Sequence, residues 1–421
     1  MNVCIHPKKL KGTVSIPPSK SLSHRAIIAA CLSKGESIIS NVILSKDILA
    51  TIEGMRALGA TIQIEGTTLR IQGSEVKRIS NVIDANESGS TLRFLIPIAL
   101  VNKEPIEFVG RNHLVHRPLD SYFEIFDKIG IQYTHPLDTY LPLKTKGGLE
   151  SGFYEVKGNI SSQFITGLLF ALPLLEGDSI VKIIGPLESK GYVDLTIDIL
   201  SKFGIVIINH NYESFEIKGN QSYKGYNYTV EGDYSQTAFF LIAGAMGADV
   251  KLEGMKQVSY QGDKKIVEDI KTLKGNICFE DGLLYCTPSQ TKGTTIDFSQ
   301  SPDLGPALTV LASVSEGVSN FVHVARLRIK ECDRVTCMKE ELEKLGAKID
   351  EEPDTMIIHG VTQLHGGIVD SHNDHRVAMA LAMASLKMDE NLTILNAECV
   401  SKSYPNFWEV FEALGGEITY E

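Results

Sequence analysis

The sequence has no apolar stretch long enough to cross a bilayer as a helix. Its longest, Phe164–Leu175, contains Pro173 and falls well short of the ~20 residues a crossing requires. That run reads instead as a buried helix. The opening residues carry Lys8, Lys9 and Lys11 with no apolar segment behind them, so no secretory leader is expected. The seven cysteines (Cys4, Cys31, Cys278, Cys286, Cys332, Cys337 and Cys399) include no Cys-x-x-Cys pair. This speaks against a zinc cluster or a disulfide frame and for a reducing, cytoplasmic compartment. A basic excess is missing too: 41 Lys and Arg stand against 52 Asp and Glu, a formal charge of −11. General attraction to nucleic acid or to an anionic membrane is therefore excluded, and any anion site must be local. Aromatics make up only 7%, with a single Trp408, and they do not interleave with basic residues as they do in single-strand nucleic-acid platforms. Trp408, beside Phe407 and Phe411, reads as core packing of the last helix. No Pro/Gly/Ser-rich linker or low-complexity segment divides the chain.

What is present is ordinary globular material, 421 residues at 43% hydrophobic, enough for two cores rather than one. A repeat organises it. Helical endings of the type Leu-Gly followed by a β-like run place glycines at Gly59, Gly130, Gly204, Gly275, Gly346 and Gly415. The intervals are 71, 74, 71, 71 and 69, and the fourth copy is shifted by one, with Lys274 standing where the others have glycine. Glycine just past a helix suits a left-handed C-cap. Half a period away, small-residue apolar helices begin near Ser23, Ser90, Ser162, Ser235, Asp303 and Asp374. A helix that is apolar all round must be buried. Six copies of ~70 residues are therefore expected, each with an inner helix, an outer amphipathic helix and sheet outside, grouped three to a domain. The crossings between domains are expected near Lys11–Thr13 and Asn227–Val230.

The starts of the six inner helices carry N-cap residue types, which alone means only capping. Cations gather at the same places, however: Lys20, Arg25, Arg93, Arg334 and Arg376, with Lys402 near the end. A helix start already presents free N–H groups and the positive end of a dipole. Added Arg and Lys make an anion site, and an acidic protein that concentrates them there suits a small substrate bearing phosphates and carboxylates.

These residues carry a resemblance. Pro18-Ser-Lys-Ser-Leu-Ser-His-Arg25 is similar to the first signature of the 5-enolpyruvylshikimate-3-phosphate synthase family of enolpyruvyl transferases. Glu87-Ser-Gly-Ser-Thr-Leu-Arg93, Arg117-Pro-Leu, Ser161-Ser-Gln163, Ser189 with Tyr192, Asp303 in Ser-Pro-Asp-Leu, Arg328-Ile-Lys-Glu-Cys-Asp-Arg334, Asn373-Asp-His-Arg376 and Lys402-Ser-Tyr-Pro continue the match to the end. The resemblance implies an α/β fold of two similar domains, each an inside-out barrel of three repeated units with buried helices and outer sheets. Residues 1–12 plus 229–421 would form one domain, on the phosphoenolpyruvate and catalytic-carboxylate side. Residues 13–228 would form the inserted shikimate 3-phosphate domain, with the active site in the cleft.

The same resemblance implies the residue roles. Lys20, Asp303 and Glu331 would be catalytic, with Asp303 the base and Lys20 and Glu331 sharing proton delivery and the departing phosphate. Lys20, Ser21, Arg25, Ser161, Ser162, Gln163, Ser189, Tyr192, Asp303 and Lys330 would hold shikimate 3-phosphate. Lys20, Gly89, Arg93, Arg117, Gln163, Arg334, His375, Arg376 and Lys402 would hold phosphoenolpyruvate, and glyphosate would compete there. No cofactor and no metal are implied, the partners are the two small substrates, and a monomer is expected. His359, His365 and His372 form no helical His-x-x-x-His pair. Two departures stand out. Asn86-Glu87 adds a residue before the glycine loop, and Arg326 replaces a family Asn.

Rival readings separate on single features. A UDP-N-acetylglucosamine enolpyruvyl transferase would have Lys-Asn in place of Lys20-Ser21 and a Cys near Val109–Arg117. A noncatalytic anion sensor would have lost Asp303 or Glu331, and both are present.

Overall fold

The computed structural model describes the whole chain, Met1–Glu421. Twelve helices run in pairs, the first of each pair buried and the second amphipathic. In chain order they are α1 (Lys20–Leu32) and α2 (Lys46–Ala57), α3 (Gly89–Ala99) and α4 (Asp120–Ile129), α5 (Ser162–Ala171) and α6 (Lys190–Lys202), α7 (Tyr234–Ala245) and α8 (Ile266–Thr272), α9 (Gly305–Ser313) and α10 (Arg334–Lys344), and α11 (His375–Ala384) and α12 (Phe407–Ala413). All residues of α7, α9 and α11 are buried. Their small side chains let helices approach closely, and each large aliphatic one removed from water contributes roughly 1.5–3 kcal/mol.

Six four-stranded sheets accompany the six pairs, and all share one build: a parallel pair followed by two antiparallel strands. In the α3 copy Val82–Asp84 runs parallel to Ile106–Val109, which is antiparallel to Leu143–Lys146, which in turn pairs with Gln132–Thr134. The strands alternate buried and exposed residues, as in Ser179–Ile184, so each sheet turns one face inward onto the helices and the other to solvent. The arrangement is helices inside and sheets outside, three copies to a unit.

Two compact units result, Met1–Ser19 with Glu231–Glu421, and Lys20–Val230. Each has its own core. The units divide after Ser19 and Val230, somewhat later than the 12/13 and 228/229 breaks that the sequence suggested. The reason is pairing: Lys11–Ser15 is still bonded in parallel to Asp249–Glu253, and Tyr228–Thr229 is bonded to Ile39–Ser40. In the terminal unit Val3–His6 sits between Leu392–Leu395 and Glu417–Tyr420, so the two ends of the chain complete one copy together.

The shifted fourth repeat has a plain cause. Gly59, Gly130, Gly204, Gly346 and Gly415 all have positive φ after an outer helix, and in the α8 copy Lys274 takes that role at φ 66°. Gly275 is needed for space, because a Cβ there would meet Ile270 Cγ2 at 2.3 Å.

Candidate active site

In the Lys20–Val230 unit the inner helices begin on hydroxyls. Ser88 Oγ caps α3 by accepting from Thr91 N, and Ser161 Oγ caps α5 by accepting from Gln163 N. Around those starts the expected residues form three groups. Arg25, only 2% exposed, donates from Nε to Thr196 Oγ1 (2.9 Å), from Nη1 to the Ser21 carbonyl (2.8 Å) and from Nη2 to the Tyr192 carbonyl (3.1 Å). Its guanidinium lies over the rings of Phe94 and Tyr192. Burial brings Arg25 down to about 10, so it stays a cation at neutral pH. At the N-cap of α6, the helix that carries Tyr192 and Thr196, Ser189 is fully buried and held at φ 55°, a backbone state that a non-glycine residue adopts at a cost.

The second group is Arg93, Gln163 and Ser90, next to Ser162, the first residue of α5. Arg93 Nη1 donates to Gln163 Oε1 (2.9 Å) and Nη2 to the Pro118 carbonyl (2.9 Å), while Gln163 Nε2 donates to Ser90 Oγ (3.0 Å). Pro97 lies inside α3 and lacks the N–H that would bond the Arg93 carbonyl four residues back. Tyr122 Oη supplies the missing donor at 2.5 Å. Gly167 of α5 permits this approach, since a Cβ there would sit 2.5 Å from the same carbonyl.

The third group is Gly89 and Arg117. Arg117 is 7% exposed, and a Cβ on Gly89 would fall 2.4 Å from its Nη1. The buried Arg117 Nε has no hydrogen-bond partner. Lys20 Nζ lies 2.8 Å from Asp47 Oδ2 in the first turn of α2.

In the terminal unit the inner helices begin on carboxylates. Asp233 caps α7 and Asp374 caps α11. Asp303 lies in the 3-10 turn Pro302–Leu304 that leads into α9. Its Oδ1 takes Arg334 Nη1 (3.0 Å) and Lys330 Nζ (3.1 Å), and its Oδ2 takes Arg376 Nη2 (3.0 Å). Arg334 also reaches Glu331 Oε2 (2.7 Å) and Asp374 Oδ2 (2.8 Å). Burial alone would raise the Asp303 carboxyl, but Arg376, Lys330 and Arg334 together outweigh it and hold it well below the usual carboxylate range. Burial, aided by Arg326 and Arg334 and opposed by Asp303, brings Lys330 down to about 8. Lys330 is thus an ammonium poised near neutrality beside a firmly ionised carboxylate.

Lys402, 4% exposed, donates to the Asn373 carbonyl at 2.7 Å. His375 is buried with Nδ1 4.0 Å from Asp374 Oδ1. Arg326, at the departure from the family pattern, is 8% exposed and donates to the Ser299 carbonyl at 3.4 Å.

Sequence reading missed three participants. Asp47 holds Lys20, Asp374 braces Arg334, and Tyr122 satisfies Arg93. Asp374 had a signal, an N-cap inside a basic motif. Asp47 and Tyr122 had none, because their partners lie elsewhere in the chain.

The fold and these clusters define a class: a six-copy α/β protein that gathers guanidinium, ammonium and carboxylate groups at buried helix starts, as an enzyme for small polyanionic substrates requires. The family model of EPSP synthase (3-phosphoshikimate 1-carboxyvinyltransferase) matches residues 5–411. A 3-phosphoshikimate 1-carboxyvinyltransferase of Clostridium perfringens is 52% identical over 422 residues, covering 100% of this chain and 99% of its own. One of Clostridium acetobutylicum is 51% identical over 420 residues, covering 99% and 98%. Among solved structures, EPSP synthase from Acinetobacter baumannii matches with a TM-score of 0.81 at 26% identity, covering 100% of both chains. The chain belongs to the EPSP synthase family. No helix in it is long and apolar enough to cross a membrane.

Proposed function

We propose that Asp303 is the base of the reaction that the family performs. The enzyme transfers the enolpyruvyl group of phosphoenolpyruvate to the 5-hydroxyl of shikimate 3-phosphate, giving 5-enolpyruvylshikimate 3-phosphate and phosphate in the shikimate pathway to aromatic amino acids. In the addition step the 5-hydroxyl loses its proton, its oxygen bonds C2 of phosphoenolpyruvate, and C3 gains a proton. In the elimination step the C2–O bond to phosphate breaks and C3 gives a proton back, restoring the double bond. An acid and a base are needed in each direction.

The observation that carries the assignment is the Asp303 carboxylate set between Arg334, Arg376 and Lys330. Held so, it is ionised and weakly basic. An anionic substrate that draws Arg376 or Lys330 toward itself removes part of that stabilisation and raises the proton affinity of Asp303 as the reactants arrive. Glu331 and Lys20 deliver the proton to C3 and meet the leaving phosphate. Shikimate 3-phosphate is held by Lys20, Ser21, Arg25, Ser161, Ser162, Gln163, Ser189, Tyr192, Asp303 and Lys330, a set in which Arg25 is locked by neutral partners and so brings its charge to an anion. Phosphoenolpyruvate is held by Lys20, Gly89, Arg93, Arg117, Gln163, Arg334, His375, Arg376 and Lys402, where guanidinium forks suit carboxylate and phosphate oxygens. The buried Arg117 Nε, lacking a protein partner, supports an anion beside Gly89. Seven free cysteines support a cytoplasmic location.

The test is phosphate release from phosphoenolpyruvate with shikimate 3-phosphate or with UDP-N-acetylglucosamine as acceptor, for the unmodified protein and Asp303→Ala. Release is expected only with shikimate 3-phosphate and should collapse in the variant. An Asp303→Ala enzyme of undiminished rate would remove Asp303 from the base role.

A further inference from the structure

Asp374 is an inconspicuous member of its motif, an N-cap beside two basic residues. It is fully buried, at 0% exposure, and its side-chain oxygens bond two residues, Arg334 and Arg376, whose own side chains end on Asp303. Its Oδ2 accepts from Arg334 Nε at 2.8 Å and its Oδ1 from Arg334 Nη2 at 3.4 Å, a side-on fork that fixes the guanidinium plane. The same Oδ1 accepts from the backbone N of Arg376 at 2.8 Å, which caps α11. Cys332 Sγ closes the other side at 3.7 Å. From that brace Arg334, itself 1% exposed, extends Nη1 to Asp303 Oδ1, and Arg376 extends Nη2 to Asp303 Oδ2, each at 3.0 Å.

We propose that Asp374 is a positioning residue for the transfer reaction, one carboxylate that fixes the side chain of Arg334 and the helix start carrying Arg376 so that they close on the two oxygens of Asp303. The inference rests on the reading of Asp303 as base and deepens it. A plain cap would need only the bond to Arg376 N, and Asn or Ser serves a cap as well as Asp. The fork to Arg334 is what a cap does not require. Arg334 can present Nη1 to Asp303 and Nη2 to Glu331 only while its Nε edge is turned toward Asp374. Without a carboxylate on that edge the guanidinium is free to rotate about its stem, and the base loses its fixed partner.

Asp374→Asn separates the two roles. Its Oδ1 keeps the cap, while its amide cannot accept a charge-assisted fork from Arg334. The expected result is a fall in kcat of about a hundredfold, the size of a lost charge-assisted bond to a reacting centre, with the KM for shikimate 3-phosphate within about threefold, both measured well below the melting temperature, which should itself fall because a buried ion pair loses one partner. The deciding arm is a double-mutant cycle with Arg334→Lys, which lacks the Nε edge. In that background Asp374→Asn should cost less than about twofold more, because the two act as one unit. Full activity in Asp374→Asn, or losses that simply multiply in the double variant, would overturn the proposal. If Asp374→Asn fails to fold, Asp374→Ser, a cap of smaller volume, takes its place in the cycle, and failure of both to fold makes the carboxylate structural and overturns it too. The unmodified enzyme and Asp303→Ala run alongside. Absence of acceptor-dependent release in the former, or full activity in the latter, would be the failure of the reading of Asp303 and not of the brace.

Discussion

The two units share one build yet start their inner helices differently. The Lys20–Val230 unit caps α3 and α5 with Ser88 and Ser161, whereas the terminal unit caps α7 and α11 with Asp233 and Asp374 and places Asp303 just before α9. A hydroxyl satisfies an N–H and leaves the positive end of the dipole in place, while a carboxylate satisfies the same N–H and cancels it. The arginines follow suit. Arg25 is locked by Thr196 Oγ1 and two carbonyls, whereas Arg334 is locked by Asp303, Glu331 and Asp374. Within one repeated frame, then, one unit holds an arginine among neutral partners and the other an arginine among three carboxylates, and the roles proposed above, holding an anion and exchanging protons, follow that line.

Kinetics should split along that line, and this is the largest effect expected. Asp303→Asn should lower kcat by about 10³-fold, within the range for a general base, with little change in KM. Arg25→Gln should raise the KM for shikimate 3-phosphate by about 10–100-fold, the worth of one charge-assisted bond, with a smaller loss in kcat. Steady-state measurements on the two variants decide it. An Arg25→Gln enzyme that lost kcat at constant KM would erase the division.

A stability comparison comes next, inside the Lys20–Val230 unit. Tyr122→Phe should cost about 1–3 kcal/mol, because the buried Arg93 carbonyl loses the donor that Pro97 cannot supply. Adding Pro97→Ala restores a backbone N–H and should recover much of the loss, as read by denaturant titration. No recovery would show that Tyr122 matters for its packing rather than its hydroxyl.

Acid should move the units in opposite directions. Burial first, then Lys20 and Arg25, holds His24 well below its ordinary 6.5. The unfolded chain takes up a proton there near pH 6.5 and the folded one does not. Stability around α1 is therefore full above that pH and falls as pH drops, by up to about 2 kcal/mol at pH 5. In the terminal unit burial, with Asp303 adding to it, raises Asp263 to about 6, and burial raises Asp269 to about 6. These carboxyls take protons in the folded state before the unfolded one does, so stability around α7 and α8 should rise between pH 7 and 5. Hydrogen exchange at the two pH values, corrected for intrinsic rates, would read α1 and α7 separately. Parallel changes in both would contradict the contrast.

The smallest effect tests the repeat itself. Lys274 bears the left-handed conformation that glycine bears in five sister copies, so Lys274→Gly should stabilise the protein by about 1 kcal/mol. Gly275→Ala should destabilise it, because its Cβ would strike Ile270. Denaturant midpoints would check both.

Much was legible in the residues themselves. The ~70-residue period, the inner helices without a polar face, the glycine after each outer helix and the cations at helix starts are local patterns, and local patterns survive in a sequence because neighbours in the chain stay neighbours in the fold. Helix starts expected at Ser90, Ser162 and Ser235 appear at Gly89, Ser162 and Tyr234. What was not legible was decided by partners far apart in the chain. Lys11–Ser15 belongs with Asp249–Glu253 because the sheet lacked its first strand. Tyr122 belongs with Arg93 because Pro97 left a carbonyl bare in the core. Asp303 is held ionised by Lys330 and Arg334 together with Arg376, which reaches its second oxygen from another copy of the repeat. The sequence by itself determined which groups this protein has and on which helix starts they stand. Which carboxylate meets which cation, and so which is held ionised and which is pushed toward neutrality, only the tertiary structure decided, because that depends on distance and on burial.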